Sequence, residues 1–325
     1  MKLSFVLPVY NAEQYLQQCV DSICQSSLAT DDYELILVDD GSADGSYALA
    51  QQICRQLPNA RCLTQPNQGS SVARNAGIEL ATADYLWFID ADDYLLSDQL
   101  GEIAKAIDAA SSPDIFAIQE LVIEGKYRRN HCVQPHVPHN KVMTGRDAVL
   151  TGFEPMSACS LICRRDFLKR HNLTFYPGIS HQDVEFTMRA VALADSIYFS
   201  DFQPYVYVKH FGSVTKAQTT EKLYFYIIGD AYVAKSYKAF ARSLNDKALG
   251  SHIAKWANGI LVNLLNGLRT PKSKLVDRQF KERALAEMKD IGVYPVRGRC
   301  FSWKMWCYAQ LLNFRSFVIN DKGEK

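Results

Sequence analysis

Three carboxylates close a short apolar run in Tyr85-Leu86-Trp87-Phe88-Ile89-Asp90-Ala91-Asp92-Asp93. In an extended chain, side chains two apart share a face, so Asp90 and Asp92 can converge on one point while Ala91 leaves room between them. Carboxylates held that close repel, and each raises the other's pKa unless a cation lies between them. Hard oxygen ligands suit Mg2+ or Mn2+, and Mg2+ is commonly held by one or two carboxylates plus substrate phosphates. The competing reading of the same residues is a polar turn, with Ser97 capping a following helix.

The elements that must position these acids are legible upstream. The aromatic run reads as a buried strand whose carboxyl end carries Asp90. Residues 3–7 form a short strand stopped by Pro8, and Asn11 with Gln14 three residues on reads as the start of a helix reaching about Ser26. Leu35-Ile36-Leu37-Val38 is an uninterrupted apolar run, as expected of a parallel strand covered on both faces. A helix from about Asp44 to Leu57, a strand near Arg61–Thr64, and a helix through Ala81 follow. This alternation predicts βαβ units and an open, mostly parallel α/β sheet flanked by helices. Ligands of such sheets bind beyond the carboxyl ends of the strands. That rim gathers Pro8-Val9-Tyr10-Asn11, Asp39-Asp40-Gly41-Ser42, the segment from Gly69 to Arg74, and Asp90-Ala91-Asp92.

Each rim segment has a chemical use. An exposed carboxylate at Asp40 can accept hydrogen bonds from a base or ribose, and Gly41 lets backbone approach closely. Arg74, one turn into a helix whose first N–H groups favour anions, could meet a phosphate. The alternative for Arg74 is a salt bridge to Asp90 or Asp92. No G-x-G-x-x-G follows the first strand and no Walker loop occurs, which disfavours a dinucleotide enzyme and a P-loop ATPase.

The 325 residues are long enough for a domain of about 200 residues with a smaller appendage. The net charge of +1 conceals an asymmetry: Arg269–Lys325 holds 13 Lys/Arg against 6 Asp/Glu, a net +7, so the preceding body carries −6. A basic tail without a recognition motif, on an acidic body, argues against a nucleic-acid partner. Nine scattered cysteines with no C-x-x-C pair read as reduced thiols. The apolar N-terminal run is cut by Pro8 too early for a signal peptide, and no stretch reaches the roughly 18 apolar residues that span a bilayer. A cytoplasmic protein is expected, free or peripheral on the inner face of the cytoplasmic membrane.

Pro8-Val9-Tyr10-Asn11, Val38 to Ser42, Asn67 to Gly77, and Asp84 to Asp93 stand in the order and spacing of the inverting glycosyltransferases of family 2, which the chain resembles over residues 1–215. The resemblance implies a GT-A fold, a nucleoside-diphosphate sugar donor, most often UDP, and a divalent metal, Mn2+ or Mg2+. It implies that Pro8, Val9, Tyr10 and Asp40 line the nucleoside pocket, that Arg74, Asp90 and Ala91 lie at the donor, and that Asp92 is the leading metal ligand with Asp90 supporting. A catalytic domain is expected over 1–217, with a nucleotide-binding half (1–93) and an acceptor half (94–217), and the amphipathic spacing in 222–242 and 253–268 predicts a helical region over 218–325. The family's Glu-Asp-x-x-Phe is met at Gln182-Asp183-Val184-Glu185-Phe186, where the first acid is replaced by Gln182 and the base, Asp183, is kept. The other reading of Asp183 is a helix N-cap.

A single displacement explains why such a base is needed. The acceptor hydroxyl attacks the anomeric carbon opposite the leaving diphosphate, and a carboxylate there takes its proton. His210, beyond the tyrosine-rich strand at 205–208, is a third metal ligand, a hydrogen-bond donor to phosphate, or an ordinary loop residue. The cluster His131, His136 and His139 fits no helical zinc motif and reads as a surface loop on the acceptor side. The tail from Val296 to Arg315 mixes Trp, Phe and Leu with Arg and Lys, which suits either the interface of an anionic bilayer or a helix docked on protein. The chain lacks Gln-x-x-Arg-Trp and spanning helices, which the resemblance associates with processive synthases. Transfer of one sugar to a glycan or lipid-linked acceptor in bacterial surface-polysaccharide assembly is therefore expected. The competing functions are a non-catalytic glycan-binding or scaffold protein of the same fold and a sugar nucleotidyltransferase. The latter should show a Gly-rich, basic loop after the first strand, where this chain has Pro-Val-Tyr-Asn.

Overall fold

The computed structural model describes residues 2–131, 134–209 and 219–319. The chain forms two compact units, Met1–Gly178 with Phe186–Phe211, and Ile179–Glu185 with Gly212–Lys325. Residues 179–185, which carry Asp183, thus group with the helical C-terminal region.

The first unit begins with β1 (Leu3–Val9), α1 (Leu16–Cys24), β2 (Tyr33–Asp39), α2 (Ser46–Gln56), β3 (Ala60–Thr64), α3 (Ser70–Leu80) and β4 (Tyr85–Phe88). β1 pairs in parallel with β2 and β4, and β2 with β3. The strands are apolar on both faces because helices cover both; Phe5, Leu35, Trp87 and Phe88 are fully buried, each contributing about 1.5–3 kcal/mol by leaving water. Next come β5 (Tyr94–Leu95), α4 (Leu100–Ala109), β6 (Ile115–Ala117), β7 (Glu120–Glu124), β8 (Tyr127–His131), β9 (Val142–Met143), α5 (Gly145–Thr151), β10 (Leu161–Arg164), α6 (Arg165–Arg170), α7 (Gln182–Leu193), β11 (Ile197–Phe199) and β12 (Tyr205–Val208). The main sheet runs β3-β2-β1-β4-β10-β6-β11-β9, with β10 antiparallel to both neighbours. A second sheet runs β5-β12-β7-β8. Its β7–β8 hairpin turns at Gly125-Lys126, with Gly125 at φ +58.

In register, Val9 lies beside Asp39 and Asp39 beside Thr64. The carboxyl ends of β1, β2 and β3 therefore form one rim, and β4 opens onto it just before Asp90. Two expectations change here. The first helix starts at Leu16 rather than Asn11: Asn11 sits at φ +49, donates its N–H to Ser42 Oγ (3.0 Å) and accepts from Ala43 N (2.8 Å), which ties rim loops together instead of capping. His131 ends β8, whereas His139 bridges Asp201 (2.7 Å) and the Gln134 carbonyl (2.9 Å).

α3 seats on β1 through Gly77, where a Cβ would stand 2.2 Å from Val6 Cγ1. Both residues are buried in a packed core that cannot absorb extra methyl groups without shifting helix from sheet. Gly77→Val is expected to cost about 1–3 kcal/mol, read as a lower urea midpoint with an unchanged slope. A midpoint equal to that of the native protein would contradict this seating.

The second unit carries α8 (Thr220–Ser243), α9 (Lys247–Arg269), α10 (Arg278–Asp290), α11 (Trp303–Leu312) and α12 (Arg315–Ile319). Asp246 caps α9 by accepting from Ala248 N and Leu249 N, and Ser302 caps α11 by accepting from Met305 N. α8 and α9 pack along their lengths through Tyr237, Ile253, Ala257, Leu261 and Leu265, all fully buried.

Candidate active site

β4 delivers Asp90, Asp92 and Asp93 to the rim in three different environments. Asp90 is partly exposed, with its Oδ1 2.6 Å from a guanidinium nitrogen of Arg74, and that arginine is 2% exposed. Arg74 also stacks over the Phe175 ring at 5.3 Å. The ion pair foreseen as the alternative for Arg74 is thus formed with Asp90. Asp92 is exposed, and Ala91 is buried in the core.

Asp93 is buried. Its Oδ2 accepts from the Tyr205 hydroxyl (2.6 Å) and its Oδ1 from Val208 N (2.8 Å), while Asp90 N–H donates to the Tyr205 oxygen (3.3 Å). Burial first, and then the charges of Asp90 and Asp92, push the Asp93 carboxyl up to about 9. Among the described residues no three His, Cys, Asp or Glu side chains close on a metal position. The donor set nevertheless fits a hard dication completed by substrate oxygens: carboxylate oxygens at one strand end, Asp92 exposed and Asp90 partly so. His210 lies outside the described residues.

Asp40 departs from expectation. It is 3% exposed, and its carboxylate accepts from Gln65 Nε2 (2.8 Å), Gln68 N (2.9 Å) and Gly69 N (2.7 Å). The 65–69 segment folds over it, so Asp40 braces the loop that leads into α3 instead of standing open to solvent. Gly41, at φ +70, permits this: a Cβ there would meet Asn67 N at 2.8 Å. Val9 is fully buried and can offer only backbone, Pro8 is half-buried, and Tyr10 stands exposed beside them.

Asp183 lies half-buried in the first turn of α7, inside the helix rather than at an N-cap. That turn is tied to α8: Tyr237 donates to the Val184 carbonyl (2.6 Å), Ser236 donates to the buried Glu185, and Ser180 Oγ donates to the Phe225 carbonyl (3.0 Å). Just before it, His181 takes φ +57 and sets Nδ1 3.1 Å from Asp230. The hydrogen bond to Asp230, opposed by desolvation and aided by the charges of Asp230 and Asp183, raises the His181 pKa. The folded state therefore binds the proton more tightly than the unfolded chain. The resulting stability is present below the ordinary His value of about 6.5 and is lost as pH rises through the folded value. The melting temperature of the native protein is expected to fall more steeply through neutrality than that of Asp230→Asn; parallel curves would refute the coupling.

Sequence reasoning missed Asp93 and Tyr205 as one buried support. Their signals were present: Asp93 alternates away from Asp92, and Tyr205 sits in an alternating strand, but burial is a tertiary property.

A sheet with acids at its central strand end, an adjoining buried arginine and helices on both faces is the architecture of the GT-A nucleotide-sugar fold. The chain matches the model of glycosyl transferase family 2 over residues 4–171, and it belongs to that family. It is 28% identical over 224 residues to the uncharacterized glycosyltransferase YibD of Escherichia coli (strain K12), covering 66% of this chain and 63% of that protein. It is 30% identical over 216 residues to the poly(ribitol-phosphate) beta-glucosyltransferase of Bacillus spizizenii (strain ATCC 23059 / NRRL B-14472 / W23), covering 65% of this chain and 33% of that protein. Among solved structures, TarS 1-349 of S. aureus in complex with UDP-GlcNAc superposes with a TM-score of 0.73 at 21% identity, covering 98% of this chain and 90% of that one. That likeness establishes the shared fold.

Proposed function

We propose that this chain is a metal-dependent, inverting hexosyltransferase. It moves one sugar from a nucleoside-diphosphate sugar, a UDP-sugar, to a hydroxyl of a glycan or lipid-linked saccharide in bacterial surface-polysaccharide synthesis. In this reading residues 1–217 form the catalytic domain, and the protein works in the cytoplasm, peripherally at the inner face of the membrane where such acceptors are presented. The observation that carries the proposal is the carboxylate cluster at the end of β4, where Asp92 stands exposed and Asp90 partly exposed at the rim above the buried, hydrogen-bonded Asp93. The UDP-GlcNAc bound to TarS and the polymer substrate named for the Bacillus relative support the donor and acceptor classes.

Asp92, with Asp90 and His210 in support, would hold Mn2+ or Mg2+. When bound, the ion neutralises charge on the departing diphosphate oxygens. Arg74 keeps Asp90 in place and adds positive charge beneath the phosphates. Pro8, Val9, Tyr10 and Ala91 line the nucleoside and sugar positions, Tyr10 by its exposed ring and Val9 by its backbone. Asp40 acts from behind, holding the 65–69 loop against the rim. Asp183 takes the proton from the acceptor hydroxyl as it attacks the face of the sugar opposite the diphosphate, so the configuration at the anomeric carbon inverts.

Thermal shift across a panel of nucleotide sugars, with and without Mn2+, tests the donor class. The expected result is stabilisation by UDP-sugars only in the presence of metal, by about 2.7 kcal/mol at a hundredfold excess over Kd. No stabilisation by any nucleotide sugar would refute the proposal.

A further inference from the structure

Helix α11 has two apolar sides, and the protein covers only one. Met305, Tyr308, Ala309 and Leu312 follow the i, i+3, i+4, i+7 spacing of a buried stripe. Ala309 and Leu312 are buried against α9, and the Tyr308 hydroxyl donates to Asn266 Oδ1. The opposite stripe, Trp303, Trp306, Cys307 and Leu311, continues to Phe314 and faces solvent; Trp303 is 72% and Phe314 64% exposed. In ten helical residues only Lys304 is charged. A surface helix needs one apolar stripe to dock, and aromatic side chains left in water on a second stripe lose the gain from burial.

The segment that carries this stripe is charged with one sign. Arg297 and Arg299 just before α11, Lys304 within it and Arg315 just after it are exposed, and the sequence from Ile291 to Ile319 contains no acidic residue. Arg315 pairs with Glu282 of α10 (3.1 Å), whereas Arg297, Arg299 and Lys304 make no ion pair among the described residues. Exposed cations next to an apolar helix face favour an anionic surface over a second copy carrying the same charges. No described helix is long and apolar enough to cross a membrane, so any lipid contact of this face lies along the surface.

We propose that the Trp303–Phe314 face of α11 docks in the interface of an anionic bilayer. The indoles of Trp303 and Trp306 and the Leu311 and Phe314 side chains enter the headgroup and acyl boundary, while Arg297, Arg299 and Lys304 meet lipid phosphates. Lys304 lies within the helix, where its alkyl stem can run along the apolar face and its ammonium can reach the headgroups. The proposal draws nothing from the carboxylate cluster, so it and the sugar-transfer reading can fail separately.

Co-sedimentation of the full chain with phosphatidylcholine vesicles, with and without phosphatidylglycerol, tests it. Native protein is expected to pellet with the anionic vesicles alone and to be released by high salt. The triple variant Arg297→Gln, Arg299→Gln, Lys304→Gln is expected to bind about a hundredfold more weakly. The double variant Trp303→Ser, Trp306→Ser is expected to lose about tenfold or more. Because all five positions are exposed, both variants should keep the native melting temperature and native turnover of donor in vesicle-free solution. Failure to pellet, equal pelleting with neutral vesicles, or binding unchanged in both folded variants would overturn the proposal. So would a native dimer that the double Trp variant dissociates while vesicles capture neither form.

Discussion

Asp183→Asn is expected to lower sugar turnover by about 100- to 10,000-fold while leaving the affinity for the nucleotide sugar within a few-fold of native. The amide matches the carboxylate in shape but cannot accept the hydroxyl proton. Val184, Glu185 and Ser180 each make a hydrogen bond that binds this turn to α8, and these three remain in the variant. Under the proposed mechanism donor binding draws on the rim of the sheet. The effect should therefore fall on kcat and spare the donor Kd, a division seen when an interaction made only in the transition state is removed. Loss of donor binding in step with turnover, or native turnover, would remove Asp183 from the reaction.

Asp92→Asn is the second large effect. Asp92 is exposed on the rim, so the change should shift stability by no more than about 0.5 kcal/mol. Turnover should nonetheless fall about a hundredfold or more, because metal stabilisation of a leaving phosphate is worth several kcal/mol. EDTA should reproduce that loss in native protein, and added Mn2+ should restore it. Asp90→Asn should differ in kind: it removes the charged partner of the buried Arg74, so stability falls together with activity. A chelator-insensitive native enzyme, or full activity in Asp92→Asn, would exclude metal-assisted departure of the diphosphate.

Much of this arrangement could be read from residue order. Buried parallel strands announce themselves as apolar runs, so β1 to β4 and their intervening helices were legible, as was the rim where their carboxyl ends meet. Where reading failed, contacts distant in sequence had overridden local signals. Asn11 resembles a helix cap, yet Ser42 and Ala43, some thirty residues on, claim its hydrogen bonds. Asp40 looks like a solvent carboxylate until Gln65, Gln68 and Gly69 fold onto it. The β7–β8 hairpin went unread although Gly125-Lys126 between Glu124 and Tyr127 is a recognisable two-residue turn. The tail could be parsed as docked or membrane-seeking because α11 carries both faces, and only coordinates reveal which one is already covered.

The claim at the centre is a single displacement, in which one carboxylate takes a proton on the side of the sugar away from the diphosphate. The configuration of the sugar at the moment of release tests it without knowledge of the acceptor, because water can substitute as nucleophile. Proton NMR of the hydrolysis of an α-linked UDP-sugar that stabilises the protein, followed before mutarotation mixes the anomers, is expected to show the β sugar appearing first. Initial release of the α sugar would contradict the account.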